Sequence, residues 1–149
     1  MKLEYGVYIV STGQGNSGNA FTASWVAQVS SEPPMIALSV NNKHQSSRLI
    51  NENKSFVVHL LEEGQESVAK TYYGPAESGY EKLVSAQVSD SPVTSSPILE
   101  GCAGYLDCAL VDTVSVGDHS LYIAEVKAAK LYKDCQLMTT SNSKLKYTG

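Results

Sequence analysis

The sequence predicts a mainly β protein, an antiparallel barrel with a few short helical insertions. Segments rich in β-branched and aromatic residues clearly outnumber segments with helical spacing. Consecutive strand segments are mostly joined by short turns, which favours antiparallel pairing. The chain has 149 residues, a length at which one domain buries enough surface to fold without disulfides or a structural metal. We therefore expect residues 1–149 to form a single domain.

Three strands are predicted in the first forty residues. Residues 3–10 are rich in β-branched and aromatic side chains, and a glycine-containing loop follows over residues 11–19. Residues 21–29 alternate as a half-buried strand does. A Pro-Pro turn at residues 33–34 ends that strand, because proline has no N–H for the ladder. Residues 35–40 then return as the third strand.

The next two elements are a short helix and a buried strand. Residues 46–53 have the pattern of a helix, and Ser46 or Ser47 is its predicted cap. Residues 55–61 are nearly all apolar, which is typical of a strand buried on both faces. His59 lies in this strand, where we interpret it as a satisfied core or edge histidine rather than a ligand.

A second helix and a long connection follow. Residues 65–73 suit a helix that stops at Gly74 and Pro75. Residues 76–96 are rich in Ser, Gly and Pro and weakly periodic, with a helical turn predicted near residues 80–84. Connections of this length in compact domains tend to be lids or interface segments.

The last third of the chain predicts a hairpin. Residues 104–114 alternate as a strand, residues 116–120 form a turn, and residues 121–131 form the returning strand. The tail from Leu137 is polar and is expected to be an edge or a disordered end.

Composition excludes several partners. The formal net charge of −4 argues against a nucleic-acid or anionic-membrane surface, which would need dense Lys and Arg. No signal peptide is recognised, and the uncharged residues 5–31 are too often interrupted by polar side chains for a membrane span. The three cysteines, Cys102, Cys108 and Cys135, lack C-x-x-C spacing and suggest a reducing, cytoplasmic location.

Motifs for hydrolytic and metal chemistry are missing from the sequence. It contains no G-x-S-x-G, no H-E-x-x-H, no Walker loop and no His/Cys/Asp set at metal spacing, so no metal is expected. The glycines at residues 13, 15 and 18 do not form a dinucleotide fingerprint, because strand residues rather than a helix follow them. Redox chemistry on a bound cofactor remains, since a cofactor carries its own reactive atoms.

A locally basic stretch surrounds the predicted start of the first helix. No acidic residue occurs between Glu32 and Glu52, whereas Lys43 and Arg48 fall inside this interval. Cations at a helix N-terminus are unfavourable unless an anion lies between them. With serine hydroxyls and free backbone amides beside them, they predict a phosphate site. The alternative is a surface helix with incidental basic residues.

Five stretches together resemble the flavin reductase-like family, in the same order over nearly the whole chain. They are Asn19-Ala20-Phe21-Thr22-Ala23-Ser24-Trp25, Val29-Ser30 with Pro33-Pro34, Asn41 with Ser46-Ser47, Phe56-Val57-Val58-His59-Leu60-Leu61, and Gly117-Asp118-His119-Ser120-Leu121. The resemblance implies a Greek-key-like split β-barrel that binds FMN, with FAD as the other candidate, usually at a homodimer interface. It also implies hydride transfer from NADH or NADPH to the flavin.

The resemblance assigns provisional roles along the chain. Residues 21–25 would meet the isoalloxazine ring, residues 39–42 would follow the flavin, and the basic stretch would hold its phosphate. Tyr72 would lie along the ring, although core packing explains such tyrosines more often. His119 is the predicted catalytic residue, on the nicotinamide side; alone, a Gly-Asp-His turn would be a solvent-exposed turn. The predicted cofactor-binding residues are Phe21, Thr22, Ala23, Ser24, Trp25, Ser39, Val40, Asn41, Asn42, Lys43, Ser46, Ser47, Arg48 and Tyr72.

Three functions fit these predictions. The leading one is an NAD(P)H-dependent flavin reductase that passes electrons to free flavin, ferric iron, oxygen or a redox protein. The second is a non-enzymatic FMN-binding electron carrier reduced by a partner protein. The third is a cofactor-free interaction module.

The sequence departs from the family pattern in two places. His44 and Gln45 stand where many relatives have small residues, and the C-x-x-C pairs of an appended rubredoxin module are missing.

Overall fold

The computed structural model describes residues 2–74, 83, 86 and 88–145. Within them the strands are β1 (Tyr8–Thr12), β2 (Asn19–Ala23), β3 (Val26–Ser31), β4 (Pro34–Asn41), β5 (Ser55–Leu60), β6 (Val88–Asp90), β7 (Pro97–Leu99), β8 (Gly104–Val116) and β9 (His119–Leu131). The helices are α1 (Gln45–Asn53) and α2 (Glu66–Thr71), and a 3-10 turn spans Gly15–Ser17. None of the described helices is both long and apolar enough to cross a bilayer.

Seven strands form one antiparallel sheet in the order β2-β1-β5-β8-β9-β4-β3, and β6 pairs with β7 in a separate two-stranded sheet. The edge strands β2 and β3 are consecutive in the chain, with only Ser24 and Trp25 between them. Three Cα–Cα steps join Ala23 to Val26 and span at most about 11 Å, so the two edges of the sheet must curl together. The result is a barrel that is split between β2 and β3, which confirms the predicted antiparallel barrel.

Two apolar clusters hold this arrangement together. One lies inside the barrel, where Phe21, Phe56 and Tyr122 pack with Ile50 of α1, so this helix covers one end of the barrel. The other lies outside it and includes Ile9, Ala69 of α2 and Met138. Adjacent residues of β1, Ile9 and Val10, enter different clusters, because successive side chains of a strand point to opposite faces.

The predicted continuous strand over residues 21–29 is wrong at its centre. The chain leaves the ladder at Ser24 and Trp25, so the first part is β2 and the second is β3. β2 pairs with β1, whereas β3 pairs with β4 at the other edge of the sheet. The sequence alternates smoothly through this change of partner, and pattern alone therefore gives no sign of it.

The first strand differs from the prediction, whereas the described part of the tail agrees with one of its two predicted alternatives. The first strand begins at Tyr8 rather than at residue 3, and it continues through Ser11 and Thr12, which were expected in a loop. These two hydroxyls lie buried and donate to the carbonyls of Pro97 and Ser55 respectively, which is why polar residues are tolerated there. In the described part of the C-terminal tail, Leu137 and Thr139 form isolated bridges with Glu62 and Gly6, and Met138 is buried. This agrees with the predicted edge, while residues 146–149 lie outside the described residues.

The other elements lie close to their predicted positions. β4, β5, α2 and the β8–β9 hairpin match the predicted segments within a few residues. His59 is fully buried and hydrogen-bonded, as expected for a core histidine. Much of the connection over residues 76–96, predicted as a lid or interface segment, lies outside the described residues, including most of its helical turn. Its described end contributes β6 and the segment leading into β7, which the prediction missed.

Candidate functional site

The β8–β9 turn places His119 at one end of the barrel. Val116 pairs with His119 across a two-residue turn, and Gly117 takes a positive φ of 59°, the backbone that a type II′ hairpin requires at its first central position. His119 also pairs with Asn41, the last residue of β4. The imidazole is therefore carried by two adjacent strands rather than by a loose loop.

One ring nitrogen of His119 is hydrogen-bonded and the other has no partner among the described residues. Its Nδ1 lies 2.7 Å from Oδ1 of Asp118. This bond is the main reason that the pKa of Asp118 is lowered, so the carboxylate accepts and Nδ1 donates. The other nitrogen, Nε2, is buried and has no hydrogen-bond partner among the described residues. Only 6% of His119 is exposed, and the indole ring of Trp25 lies 4.9 Å away between ring centroids.

Residues 41–43 are locked against the same turn. The Asn42 N–H donates to the Asp118 carbonyl at 2.9 Å, and its Oδ1 accepts from the Ser120 hydroxyl at 2.6 Å. Asn41 Oδ1 accepts from the N–H of Lys43 at 3.0 Å. The exposed Lys43 contributes, after His119, to lowering the pKa of Asp118. The structure thus brings the predicted residues 41–43 and His119 into one corner.

The cap of α1 is His44, and the predicted caps Ser46 and Ser47 are wrong. Nδ1 of His44 accepts from the Ser46 N–H at 3.2 Å, as the oxygen of an N-cap residue usually does. The His44 ring also packs against Phe21 of β2, with 5.0 Å between centroids. Histidine is not among the preferred cap residues, so propensity alone favoured the serines.

Both serines of the first helical turn have partners within the protein. Ser46 Oγ accepts from Nδ2 of Asn19 at 2.6 Å, and Ser47 Oγ lies 2.5 Å from the Tyr122 hydroxyl. Both residues are buried. The position of the serines beside a helix N-terminus agrees with the predicted phosphate site, but their hydroxyls also serve to dock α1 onto the barrel. Their contact with a phosphate stays a prediction.

The two predicted phosphate-binding cations differ in surroundings. Arg48 forms an exposed ion pair with Glu52 one turn later, with 2.7 Å between Nη1 and Oε1. Lys43 is exposed on the loop that precedes α1. Because Arg48 shares its charge with Glu52, the sequence interval without acidic residues overstates the positive charge at this corner.

The remaining predicted residues lie on the two faces of β2, in the outer cluster and on β4. Phe21 and Ala23 face the barrel interior, whereas Thr22 donates to the Ala69 carbonyl of α2 at 2.6 Å. Tyr72 packs in the outer cluster, where burial raises the pKa of its phenol. The structure does not bring Tyr72 to the face of Phe21. Val40 also belongs to the interior cluster. Ser24 precedes Trp25 in the link between β2 and β3, and the Ser39 N–H donates to the Trp25 carbonyl at 3.0 Å.

Three neighbours of the site were not assigned from the sequence. Asn19 bridges β2 to α1, and its Oδ1 is buried with no partner in the described part of the chain. Asp118 holds His119, and Tyr122 holds Ser47. Because Asp118 and His119 are consecutive in the sequence, their hydrogen bond could have been predicted from it. The contacts of Asn19 and Tyr122 cross 27 and 75 residues, and one sequence offers no means of finding them.

Other chemistry is not favoured among the described residues. No group of three His, Cys, Asp or Glu side chains there is placed to hold a metal ion. Burial raises the pKa of Cys102 to about 11 and that of Cys108 to about 12, so neither thiol is poised as a nucleophile. A mainly apolar cavity of about 430 Å³ is lined by residues of β1, β3, β4, β5, β8 and β9, with Tyr8 and Gln28 as its polar side chains. It contains no ionisable group other than the Tyr8 phenol, and the chemistry points to the His119 corner instead.

Comparison with known proteins identifies relatives over the whole chain. Residues 1–148 match the family model for the flavin reductase like domain. The chain is 32% identical over 128 residues to the FMN reductase (NADH) RutF of Stutzerimonas stutzeri, covering 85% of this chain and 72% of that protein. It is also 30% identical over 127 residues to the putative diflavin flavoprotein A 6 of Nostoc sp., covering 83% of this chain but only 22% of that protein.

Solved structures share the fold. The NADH:FAD oxidoreductase SgcE6 of Streptomyces globisporus superposes with a TM-score of 0.85 at 22% identity, covering 99% of this chain and 87% of the other. BorF, the flavin reductase component of a bacterial two-component tryptophan halogenase, gives a TM-score of 0.83 at 25% identity, covering 95% and 88%. The barrel described above is therefore shared with a protein named as an NADH:FAD oxidoreductase and with one named as a flavin reductase component.

Proposed function

Because the chain belongs to the flavin reductase like domain family, we propose that it is an FMN-dependent oxidoreductase that uses NADH or NADPH to reduce its flavin. Electrons then pass to free flavin, ferric iron, oxygen or a redox protein. The observation that carries this proposal is the His119 corner, where a buried imidazole is oriented by Asp118 and one ring nitrogen has no partner in the part of the chain that the structure describes. In buried sites such a polar atom marks a place for a ligand or an ordered water.

The residues present fit a flavin. Asn19 Oδ1, a buried polar atom without a partner in the described residues, lies two residues before the segment that the resemblance assigns to the flavin ring. The N-terminal end of α1, with Lys43 and Arg48 beside it, carries the partial positive charge that suits a phosphate, although His44 already accepts from the Ser46 and Ser47 amides. FMN carries both a polar ring edge and one phosphate. When bound, it supplies the hydride-accepting ring, and the chain supplies binding and orientation.

His119 has a definite role in this proposal. With Nδ1–H held by Asp118, Nε2 is the atom that this corner offers to the polar substituent of a nicotinamide or to a proton in transit. The surrounding rings exclude water from it. Residues 41–43 hold the turn in place from the other side through Asn42 and Ser120.

Anaerobic mixing tests the activity. The flavin-loaded protein is mixed with NADH or NADPH, and loss of the visible flavin band is followed in time. We expect rapid bleaching with at least one of the two donors. In His119→Ala bleaching should slow by about a hundredfold, while flavin affinity stays nearly unchanged. A large loss of flavin affinity in that variant would instead make His119 a structural residue.

The phosphate assignment has its own test. Replacing Lys43 and Arg48 together by Ala should weaken FMN by about tenfold to a hundredfold, the effect of losing charge-assisted hydrogen bonds. Riboflavin, which lacks the phosphate, should be nearly unaffected. Glu52→Gln is the matched control, since it frees Arg48 from its ion pair and should tighten FMN alone. Equal losses for FMN and riboflavin would contradict the phosphate site.

One observation favours the second candidate, an FMN-binding electron carrier that a partner protein reduces. His119 Nε2 is buried in the present arrangement, so a nicotinamide cannot reach it without a local movement. Bleaching that is slow or absent with both nicotinamides, in a protein that retains FMN, would support this carrier. The longer diflavin flavoproteins, of which the chain spans about a fifth, show that related domains occur beside others.

We also propose that the protein is a homodimer, on the strength of the family resemblance. Light scattering of the flavin-loaded protein should give about twice the mass of one chain. A monomer that still binds FMN and reacts with NADH would show that the second copy is dispensable.

A further inference from the structure

The mainly apolar cavity lies at the end of the barrel that is far from His119. β4 begins at Pro34 beside the cavity and ends at Asn41, which pairs with His119. β9 runs the other way, because it starts at His119 and lines the cavity at Val126. The strand advances seven residues between these two positions, which corresponds to about 23 Å. The cavity and the His119 corner are therefore separate places.

Strands alone form the walls of this cavity in the described part of the chain. At the other end of the barrel, α1 follows β4, and its Ile50 packs into the interior cluster. The inner wall residues Ile36 and Val58 are buried, whereas Leu106 and Val126 stay half-exposed. Large aliphatic side chains thus face a space that the described residues leave open.

The size of the cavity is that of a small-molecule site. Its volume of about 430 Å³ falls within the range of roughly 300–1,000 Å³ that such sites occupy. At roughly 30 Å³ for each water-sized group, it has room for roughly fifteen non-hydrogen atoms. An inserted protein segment fits less well, because its backbone N–H and C=O groups would need partners. Tyr8 and Gln28 are the described lining residues with polar side chains.

The described walls carry no charge. None of the lining residues that the structure describes is Asp, Glu, Lys, Arg or His. Burial raises the pKa of the Tyr8 phenol above its ordinary range, so this group stays protonated at neutral pH. A charged ligand would give up hydration at these walls without a counter-charge in return. The walls therefore favour a neutral molecule that is made mostly of hydrocarbon.

We propose that this open end of the barrel is a second ligand site, which takes a neutral and mainly hydrocarbon molecule carrying a hydroxyl or carbonyl group. The walls bury the hydrocarbon, and the side chains of Tyr8 and Gln28 supply the polar atoms available to that group. The site lies far from His119, so its occupation does not depend on the proposed function.

Benzophenone is a suitable probe, because it is neutral, carries one carbonyl group and inserts into nearby C–H bonds when irradiated. Protein in excess FMN is irradiated with it in the absence of oxygen, and mass spectrometry locates the label. We expect the label on cavity residues such as Met35, Leu106 and Val126. A label confined to other parts of the chain, such as Trp25, or no label at all, would overturn the second site.

A wall substitution separates binding in the cavity from adsorption to the surface. Val126→Trp puts a larger side chain into the cavity and should weaken benzophenone by about tenfold or more in equilibrium dialysis. Val114→Trp is the matched control, since Val114 is 43% exposed on β8 and is not among the described lining residues. Its affinity should match that of the wild type. Equal affinities of the two variants would overturn the proposal, and if Val126→Trp fails to fold, the labelling of the wild type decides.

A charged analogue tests the ligand class. 4-Benzoylbenzoate adds a carboxylate to the same skeleton, and the wild-type protein should bind it about tenfold more weakly than benzophenone. Equal affinities for the two molecules would overturn the preference for a neutral ligand.

The remaining outcomes separate this site from a contact between copies and from the proposed function. A wild-type dimer that excludes benzophenone and that Val126→Trp dissociates would overturn the proposal and make this end of the barrel a contact between two copies. Bleaching of the flavin by NADH should be equal in the wild type and Val126→Trp. A protein that is labelled in the cavity but is bleached by neither nicotinamide would contradict the proposed reductase alone and would support the second site.

Discussion

At the scale of single residues, buried hydroxyls show why side-chain type alone does not assign a role. Ser46 and Ser47 have the chemistry of phosphate ligands, and both stand beside a helix N-terminus. Their hydroxyls nevertheless meet Asn19 and Tyr122 inside the protein. A hydroxyl that docks a helix and one that binds an anion look the same in a sequence.

Tyr122 offers the test at this scale. Its buried hydroxyl contacts Ser47 Oγ and accepts from Asn51 Nδ2 at 3.1 Å. Tyr122→Phe leaves these groups without that partner, and it should lower the free energy of unfolding by about 1–3 kcal/mol. Urea denaturation measures the change.

Tyr132→Phe is the matched control, because Tyr132 is 55% exposed and its replacement should stay within about 0.5 kcal/mol. Equal effects of the two substitutions would show that the Ser47 contact does not stabilise α1 on the barrel.

At the scale of elements, the start of α1 combines two tasks that can be separated. His44 caps the helix through Nδ1. His44→Ala should cost about 0.5–2 kcal/mol of stability. His44→Asp restores a strong cap and favours the helix dipole, so stability should recover. The added negative charge should at the same time weaken FMN more than riboflavin, if the phosphate lies at this helix end. Urea denaturation and flavin titration of both variants measure the two effects.

A loss of stability in His44→Asp equal to that in His44→Ala would show that His44 acts through its contact with Phe21 rather than as a cap. Equal weakening of FMN and riboflavin would place the phosphate elsewhere.

His59 links three strands and makes stability depend on pH. Its Nδ1–H donates to Ile9 of β1, and its Nε2 accepts from Leu99 of β7 at 2.9 Å. Burial lowers its pKa from 6.5 to about 4. The unfolded chain therefore takes up the proton first, and stability falls as the pH drops from about 6.5 to about 4. The contribution lost by pH 4 is about 3 kcal/mol.

Urea denaturation at pH 7, 5.5 and 4 measures this loss. His59→Gln keeps an amide donor and acceptor but does not titrate, so its stability should fall less steeply over the same range. Parallel curves for the two proteins would assign the acid sensitivity to the carboxylates instead.

At the scale of the whole molecule, segments from near the two ends of the chain are hydrogen-bonded to each other beside the barrel. Met138 is 1% exposed, its N–H donates to the Leu61 carbonyl, and its own carbonyl accepts from the Val7 N–H at 3.0 Å. Met138→Ala should cost about 2–5 kcal/mol, as for other buried large-to-small changes. Thermal or urea unfolding measures it.

Met35→Ala is the comparison, since Met35 is only half-buried at the rim of the open cavity and its loss should be smaller. A Met138→Ala protein as stable as the wild type would mean that the tail adds little to the outer cluster.

The sequence by itself determined the strand-rich composition, the hairpin around Gly117, the buried strand with His59 and the family resemblance, which the family match confirms. These features depend on local periodicity, on turn residues and on motif order, all of which are written in consecutive positions. Tertiary structure alone decided that β2 and β3 part at Trp25, that Trp25 packs against His119, and that Tyr122 meets Ser47. Each of these depends on which distant segments become neighbours when the sheet closes, and such contacts have no period or spacing along the chain.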